Sequence, residues 1–400
     1  MWDFDRALQD ELENIRASGL YRELRRIDSA QGPRIVIGGR EYLNFSSNDY
    51  LGFANHPALK EAAIKAVEKS GAGCGASRLI CGSLAPHHEL EETLAAFKGT
   101  EASLTFSTGY AAALGSVCSL AGKDDVIILD KLVHASMVDA ARLSGAKLRV
   151  FKHNDLDDLE EKLKWAAGVQ SSKSKVQSRT PRTLVITESV FSMDGDLAPL
   201  RDIVELKDRY GAWLMLDEAH ATGLFGEHRR GLAEAYELAE RVEVQMGTLG
   251  KALGASGGYI CGSRVLIDLL VNRARSFIFS TAPVPAATAA AKAGIELLQS
   301  DEGERRRVYL WSLVDQLKNA LTSGPWKLLV VQSAILPIIV GEENLAVGLA
   351  TKLRDSGIFI PAIRYPTVAR GKARLRVTVT AAHTLEDLRQ LAATLTRTHN

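Results

Sequence analysis

The chain of 400 residues, 46% hydrophobic and 24% charged, is long enough for one large or two ordinary domains, which excludes a disordered, fibrous or disulfide-stapled class. Its 49 Lys and Arg against 48 Asp and Glu give a formal net charge of +1, so no bulk field recruits nucleic acid or an anionic membrane, and any phosphate site must be local. The first residues carry early acidic charges without an apolar leader, and no run of about 18 apolar residues occurs, so a soluble, cytoplasmic protein without a membrane segment is expected.

Phe4, Leu8, Leu12 and Ile15 recur at helical spacing before Gly19, which predicts an amphipathic first helix whose apolar face needs a partner surface. A helix is expected over Ala58–Lys69. Near-continuous apolar runs at Ser103–Phe106, Val126–Leu129, Leu148–Phe151, Thr183–Thr187 and Trp213–Leu216 predict strands covered on both faces, hence α/β order with a mainly parallel sheet. Between the last two, a helix over Leu200–Tyr210 closed by Gly211 completes a βαβ crossover. The polar stretch Gln170–Arg182, with Lys173, Lys175, Arg179 and Arg182 among serines, predicts a solvated loop. After a helical stretch at 286–299, the pattern shifts to Leu328–Val331, Ile335–Val340, a helix near Leu345–Ser356 and Leu375–Val379, which suggests a smaller α+β domain. The expected organisation is an N-terminal helix and arm over 1–55, a large α/β domain over 56–295 and a C-terminal domain over 296–400.

Ligands in open α/β sheets sit beyond the carboxyl ends of the strands, so polar residues there are the candidates for chemistry. Asp217 ends an apolar strand and can hold a ligand cation, a metal or a protonated ring nitrogen, with His220 three residues on; a carboxylate capping the next turn would look the same. Lys251, framed by small residues from Gly250 to Gly258, lets a planar group approach the backbone, although an exposed loop lysine is the plainer reading in isolation. Strand Ser103–Phe106 leads through Ser107, Thr108, Gly109 and Tyr110 into a helix, an N-terminus suited to phosphate or simply a capped helix. His134, after strand Val126–Leu129, can lay a flat ring on a cofactor or be a satisfied structural histidine.

Three further motifs are set aside. Gly71–Gly75 follows a helix instead of opening one after a strand, so it is not a dinucleotide turn. Pro86 and an acidic first turn explain His87, His88, Glu91 and Glu92 without a metal. Cys74, Cys81, Cys118 and Cys261 make no C-x-x-C pair or histidine cluster and are expected to be reduced, mostly buried thiols. The phosphate turn, ring-stacking His, strand-end Asp, neighbouring His and Gly-framed Lys fit one ligand together: pyridoxal phosphate. Lys251 would form its Schiff base, Asp217 would keep its ring nitrogen protonated and His220 would bond its phenolate oxygen.

With these residues on the page, the chain resembles the α-oxoamine synthases, fold-type I pyridoxal-phosphate enzymes that join an amino acid to an acyl thioester and lose CO2. The runs that carry the resemblance are Leu43–Gly52, Ser77–Leu79, Phe151–Asp155, Thr187–Asp196, Asp217–His220 and Ala381–His383. It implies a large, mainly parallel-sheet domain plus a smaller α+β domain. It also implies Lys251 as the cofactor's lysine and the Cα base, His134 as the stacking residue, Asp217 as the pyridinium partner and His220 as the phenolate contact. Gly109, Tyr110, Ser192 and Thr248 fall where the family holds the cofactor. Ser280 and Thr281 match a segment reaching the phosphate of the neighbouring subunit, which implies a homodimer with shared active sites. Arg22, Asn48, His134, Arg364 and Thr367 match substrate contacts, with Arg25 and Arg26 close enough to compete with Arg22. The run Ser333–Gly341 favours the branch that uses L-alanine and a pimeloyl thioester, carried on CoA or an acyl carrier protein, for biotin. Tyr365 and the Cys81-Gly82 pair depart toward glycine-using branches, which, with the serine-using one, stay open as alternatives. A non-catalytic protein on the same fold is the alternative from another class.

Overall fold

The computed structural model describes residues 3–173, 180–322, 324, 326, 328 and 330–399. The chain forms two compact units, a larger one of Asn48–Ser192 with Asp196–Tyr309 and a smaller one of Met1–Ser47, Met193–Gly195 and Leu310–Asn400.

The larger unit is built on a seven-stranded sheet: β1 (Ala102–Phe106), β2 (Val126–Asp130), β3 (Lys147–Phe151), β4 (Thr183–Glu188), β5 (Trp213–Asp217), β6 (Val244–Thr248) and β7 (Gly258–Gly262). Their spatial order is β1-β7-β6-β5-β4-β2-β3. Only β7 runs antiparallel to its neighbours, so the mainly parallel sheet expected from unbroken apolar runs is present. Strands β1, β2, β4 and β7 are buried at every residue, which is why their sequences do not alternate, whereas the edge strand β3 is half covered. The crossover between β4 and β5 uses the helix Leu200–Arg209, and Gly211 at φ +62° turns the chain back toward the sheet. Sequence reading left out β6 and β7, because Gly247, Gly257, Gly258 and Gly262 mask their strand pattern. They pair as a hairpin, with Thr248 opposite Gly258, and the Lys251 segment is its connection.

In the smaller unit, Arg34–Ile37 pairs with Arg40–Asn44, which in turn takes Ile358–Phe359 in parallel. A second sheet joins Ile335–Gly341, Ala373–Thr378 and Ala362–Ile363, flanked by helices Glu343–Asp355 and Leu385–His399. These contacts correct the expected segments 1–55, 56–295 and 296–400. Residues to Ser47 group with the C-terminal part because Arg34 pairs with Asp387 at 2.7 Å and His383 both bonds the Asn44 carbonyl at 2.9 Å and stacks on Phe45 at 4.2 Å. The helix Asp301–Thr322 contributes residues from Leu310 onward to this unit.

Smaller differences have local causes. The expected loop Gln170–Arg182 is shortened by a helix that runs over Leu156–Lys173. Lys175 and Arg179 lie outside the described residues, and Arg182 lays its guanidinium 5.0 Å over Trp213. Of the expected strand Leu328–Val331, Leu329 lies outside the described residues and Leu328 makes a single bridge to Ile338. The first helix, Asp3–Ala17, buries none of its residues, and Phe4 is 71% exposed. Cys81 is exposed, against the expectation of mostly buried thiols, while Cys74 and Cys261 are buried.

Candidate active site

The carboxyl ends of the parallel strands converge on one group of charged residues in the larger unit. Asp217 closes β5, 7% exposed, and its carboxylate accepts the Ala219 N–H at 2.8 Å. Opposite it in the sheet register, at the end of β4, stands Glu188, 2% exposed. Glu188 accepts the His134 backbone N–H at 2.5 Å and is also bonded by the Ser192 N–H, so one carboxylate ties together two loops that carry expected cofactor contacts. Burial holds Glu188 and Asp217 above the ordinary carboxylate range, and the Lys251 ammonium opposes the shift in each. Lys251 therefore stands within electrostatic reach of Glu188, Asp217 and His134.

His134 begins the helix Ala135–Ser144, and its Nδ1 faces the Ser136 hydroxyl at 2.8 Å. Burial lowers its pKa, with Lys251 adding to the effect and Asp217 opposing it, which favours a neutral, flat ring. His220 is 7% exposed, and its Nδ1 lies 2.5 Å from the hydroxyl of Tyr50, itself fully buried. With the phenol donating to Nδ1, the ring proton sits on Nε2, the tautomer a phenolate contact requires.

The phosphate side rests on close backbone approach. Thr108 caps the helix Gly109–Leu120 through Ala111 N–H at 3.0 Å. A Cβ at Gly109 would meet Thr248 Cγ2 at 2.6 Å, and one at Gly258 would meet the Gly109 Cα at 2.6 Å, so glycine at both positions lets the turn lie against the hairpin. Tyr110 donates its hydroxyl to Asp139 at 2.5 Å. Thr248 Oγ1 and Asn48 Oδ1 are buried with no hydrogen-bond partner among the described residues. A hydroxyl left over beside the Gly109 helix N-terminus and an amide oxygen left over elsewhere in the same unit are what a phosphate and an amine-bearing substrate would satisfy, so these residues fit pyridoxal phosphate.

Not every expected residue joins this group. Ser280 and Thr281 make no hydrogen bond to it among the described residues; their segment is held by the Ser77–Thr281 bridge and by Ala282 N–H to the Ala76 carbonyl at 3.1 Å. Arg22, Arg364 and Thr367 belong to the smaller unit, where they line a cavity of about 560 Å³ together with Arg25, Arg354 and Phe359. Arg364 is not a free clamp, since it donates to the carbonyls of Gly19 and Tyr21. Of the competing N-terminal arginines, Arg22 and Arg25 line the cavity, whereas Arg26 pairs with Asp28 at 2.6 Å. Sequence reasoning missed Glu188 and Tyr50 as functional groups. The strand-end rule that found Asp217 applies equally to Glu188, but Tyr50 has no signal short of the fold.

A model of the family described as aminotransferase class I and II matches residues 40–395. The chain belongs to that family. Among its relatives, an 8-amino-7-oxononanoate synthase of Geobacter sulfurreducens is 45% identical over 98% of this chain and 97% of its own length. One from Anaeromyxobacter dehalogenans is 47% identical over 93% and 90%. In three dimensions the chain is similar to a serine palmitoyltransferase from S. paucimobilis solved with a bound pyridoxal-phosphate myriocin aldimine, with a TM-score of 0.89 and 29% identity over 98% of this chain and 96% of that one. It is also similar to the 8-amino-7-oxononanoate synthase of Francisella tularensis, with a TM-score of 0.74 and 26% identity over 89% and 97%. The higher TM-score and the higher identities point to different activities within one family, and identity is the better guide, because one backbone carries several substrate choices.

Proposed function

We propose that the protein is an 8-amino-7-oxononanoate synthase, which condenses L-alanine with a pimeloyl thioester and releases CO2 and the free thiol. The observation that carries the reading is 44–47% identity with synthases of that name over nearly the whole chain, in a molecule whose larger unit groups Lys251 with Asp217, Glu188 and His134. Bound there, pyridoxal phosphate supplies an electron sink for negative charge at the amino acid's Cα. Thr248 Oγ1 and the first N–H groups of the helix Gly109–Leu120 would hold its phosphate, and Ser192 would also hold the cofactor. His134 would cover the ring face, Asp217 would keep the ring nitrogen protonated, and His220, with Tyr50 donating to its Nδ1, would bond the ring oxygen from Nε2. Lys251 Nζ would anchor the cofactor and move the Cα proton, within electrostatic reach of the two buried carboxyls.

The cavity of the smaller unit supports the acyl half of the reading. Four arginines, Arg22, Arg25, Arg354 and Arg364, and one carboxylate, Glu23, line the cavity beside Phe359 and Ile360. Such a lining suits a chain with an apolar middle and an anionic end, as a pimeloyl group has and a palmitoyl group lacks. A homodimer with shared sites is part of the proposal: Phe4 at 71% and Phe279 at 70% exposure leave apolar surface beside the first helix and the Ser280-Thr281 segment. The reading makes it a cytoplasmic enzyme served by an acyl-CoA or acyl-carrier-protein donor. The test crosses L-alanine, glycine and L-serine with pimeloyl, acetyl, succinyl and palmitoyl thioesters on the cofactor-loaded protein, following thiol and CO2 release. Turnover with L-alanine and the pimeloyl thioester is expected. Turnover with another pair instead moves the protein to another branch, and the absence of a visible cofactor band overturns the cofactor assignment.

A further inference from the structure

Immediately behind Asp217 the larger unit buries a complete charge pair that the reaction does not touch. Glu218 and Lys98 are each 1% exposed at the side chain, and Lys98 Nζ lies 2.6 Å from Glu218 Oε2. Lys98 also donates to the Arg230 carbonyl at 2.5 Å, and Glu218 Oε1 accepts the Ala233 N–H at 2.8 Å. The main chain of Glu218 is equally committed: its N–H bonds the Met246 carbonyl of β6 at 2.8 Å, and its carbonyl receives the N–H groups of Ala221 at 3.0 Å and Thr222 at 2.8 Å. One residue thus joins the end of β5, the turn that presents His220 and the loop before the helix Leu232–Ala235. The loop is closed tightly, because a Cβ at Gly231 would fall 2.4 Å from Glu218 Oε2.

Stability alone does not account for the pair. Two apolar side chains of similar volume would hold a buried position at least as well as two opposite charges. Burial by itself would lower the Lys98 pKa, and Glu218 reverses this and holds the ammonium charged. The other titratable groups facing the pair are Tyr259 and Cys261 of β7, both pushed up to about 12 by burial and therefore neutral. On the opposite side, Asp217 faces Lys251, His134 and Glu188.

We propose that Lys98 and Glu218 are positioning residues for the cofactor: they anchor Asp217 and His220 from behind while adding no net charge to the site that holds the ring nitrogen. The inference rests on the pyridoxal-phosphate reading above. Each charge alone would disturb the site, and the two together leave it balanced.

The decisive measurement is a pH titration of the visible band of the cofactor-loaded protein, with the cofactor dissociation constant measured alongside. Lys98→Met removes the cation beside Glu218 and raises the midpoint, whereas Glu218→Gln removes the anion beside Lys98 and lowers it, in each case as far as the remaining partner keeps its charge. Each shift is about one pH unit, the effect of one uncompensated charge at roughly 10 Å under an effective dielectric of about 20. The double variant Lys98→Met with Glu218→Met restores the midpoint but weakens cofactor binding by about tenfold, the usual effect of losing a group that orients a direct contact. Shifts in the same direction, or no shift in folded single variants, overturn the proposal. Should the single variants fail to fold, the apolar double variant decides, and wild-type cofactor affinity in it overturns the anchoring role. A wild-type protein without any cofactor band rejects the cofactor reading, and this inference with it.

Discussion

The cofactor pocket of the larger unit and the arginine cavity of the smaller unit handle charge in opposite ways. In the pocket, Asp217 and Glu188 are buried, each accepts a backbone N–H, and the Lys251 ammonium opposes the rise in pKa that burial gives them. In the cavity, Arg22 and Arg25 are exposed, and neither they nor Arg354 makes an ion pair among the described residues. A buried, prearranged field acts on a developing charge without reorganising, whereas exposed cations collect an anion and let it leave. On the proposed reading the first region carries the chemistry and the second selects the acyl substrate, so mutations should separate the two in kinetics.

The sharpest break comes from Lys251→Ala, expected to cost at least about 10⁴-fold in kcat while the thermal melt of the apoprotein stays near wild type, since the residue is half-buried in a loop and contributes no core. Asp217→Asn keeps the shape but removes the buried charge, and a loss of about 10³-fold in kcat is expected with the KM for L-alanine little changed. An unaltered kcat in either variant would remove the pocket from the chemistry. Tyr50→Phe leaves His220 Nδ1 without its 2.5 Å partner, and about tenfold in kcat is the expected loss, with the cofactor band altered. Arg354→Gln should instead raise the KM of a pimeloyl thioester by about tenfold at nearly constant kcat and leave that of a heptanoyl thioester alone. A proportional loss with both thioesters would mean that the cavity does not read the anionic end of the chain.

Much of the first region is legible in the sequence; of the second, Arg22, Arg25, Arg364 and Thr367 are reached through the resemblance, but the cavity that gathers them is not. Unbroken apolar strands announce a doubly covered sheet, and their carboxyl ends locate Asp217, His134 and the Gly109 turn by rule. Lys251 is legible through its glycines, yet the same glycines conceal that it joins two strands of a hairpin. Tyr50 and Lys98 were not legible, because each acts through a partner far away in the chain: 170 residues separate Tyr50 from His220, and 120 separate Lys98 from Glu218. Exposed arginines carry no periodic signal, so their grouping around a cavity emerges only once the strand Ile358–Phe359 pairs with Arg40–Asn44.

The smallest expected effect concerns what keeps the larger unit's pocket assembled. His153 bridges Asp130, at 3.0 Å, and Asp196, at 2.8 Å, with its ring edge-on to Phe191 at 4.4 Å. Asp130 lies four residues before His134 and Asp196 four after Ser192, so the imidazolium clamps the two loops that Glu188 also joins. Burial would lower its pKa, but the hydrogen bonds and charges of the two carboxylates raise it to about 10. Because the folded value lies above the unfolded value near 6.5, the protonated form favours folding fully below about pH 6.5, and this contribution fades as pH rises through about 10. Replacing it by His153→Gln should therefore lower stability by about 2 kcal/mol near pH 6, the scale of a hydrogen bond to a charged group, and by progressively less toward pH 10. Urea unfolding of both proteins across that range measures the difference. A gap that stays constant with pH would show that the ring acts by packing against Phe191 and not by its charge.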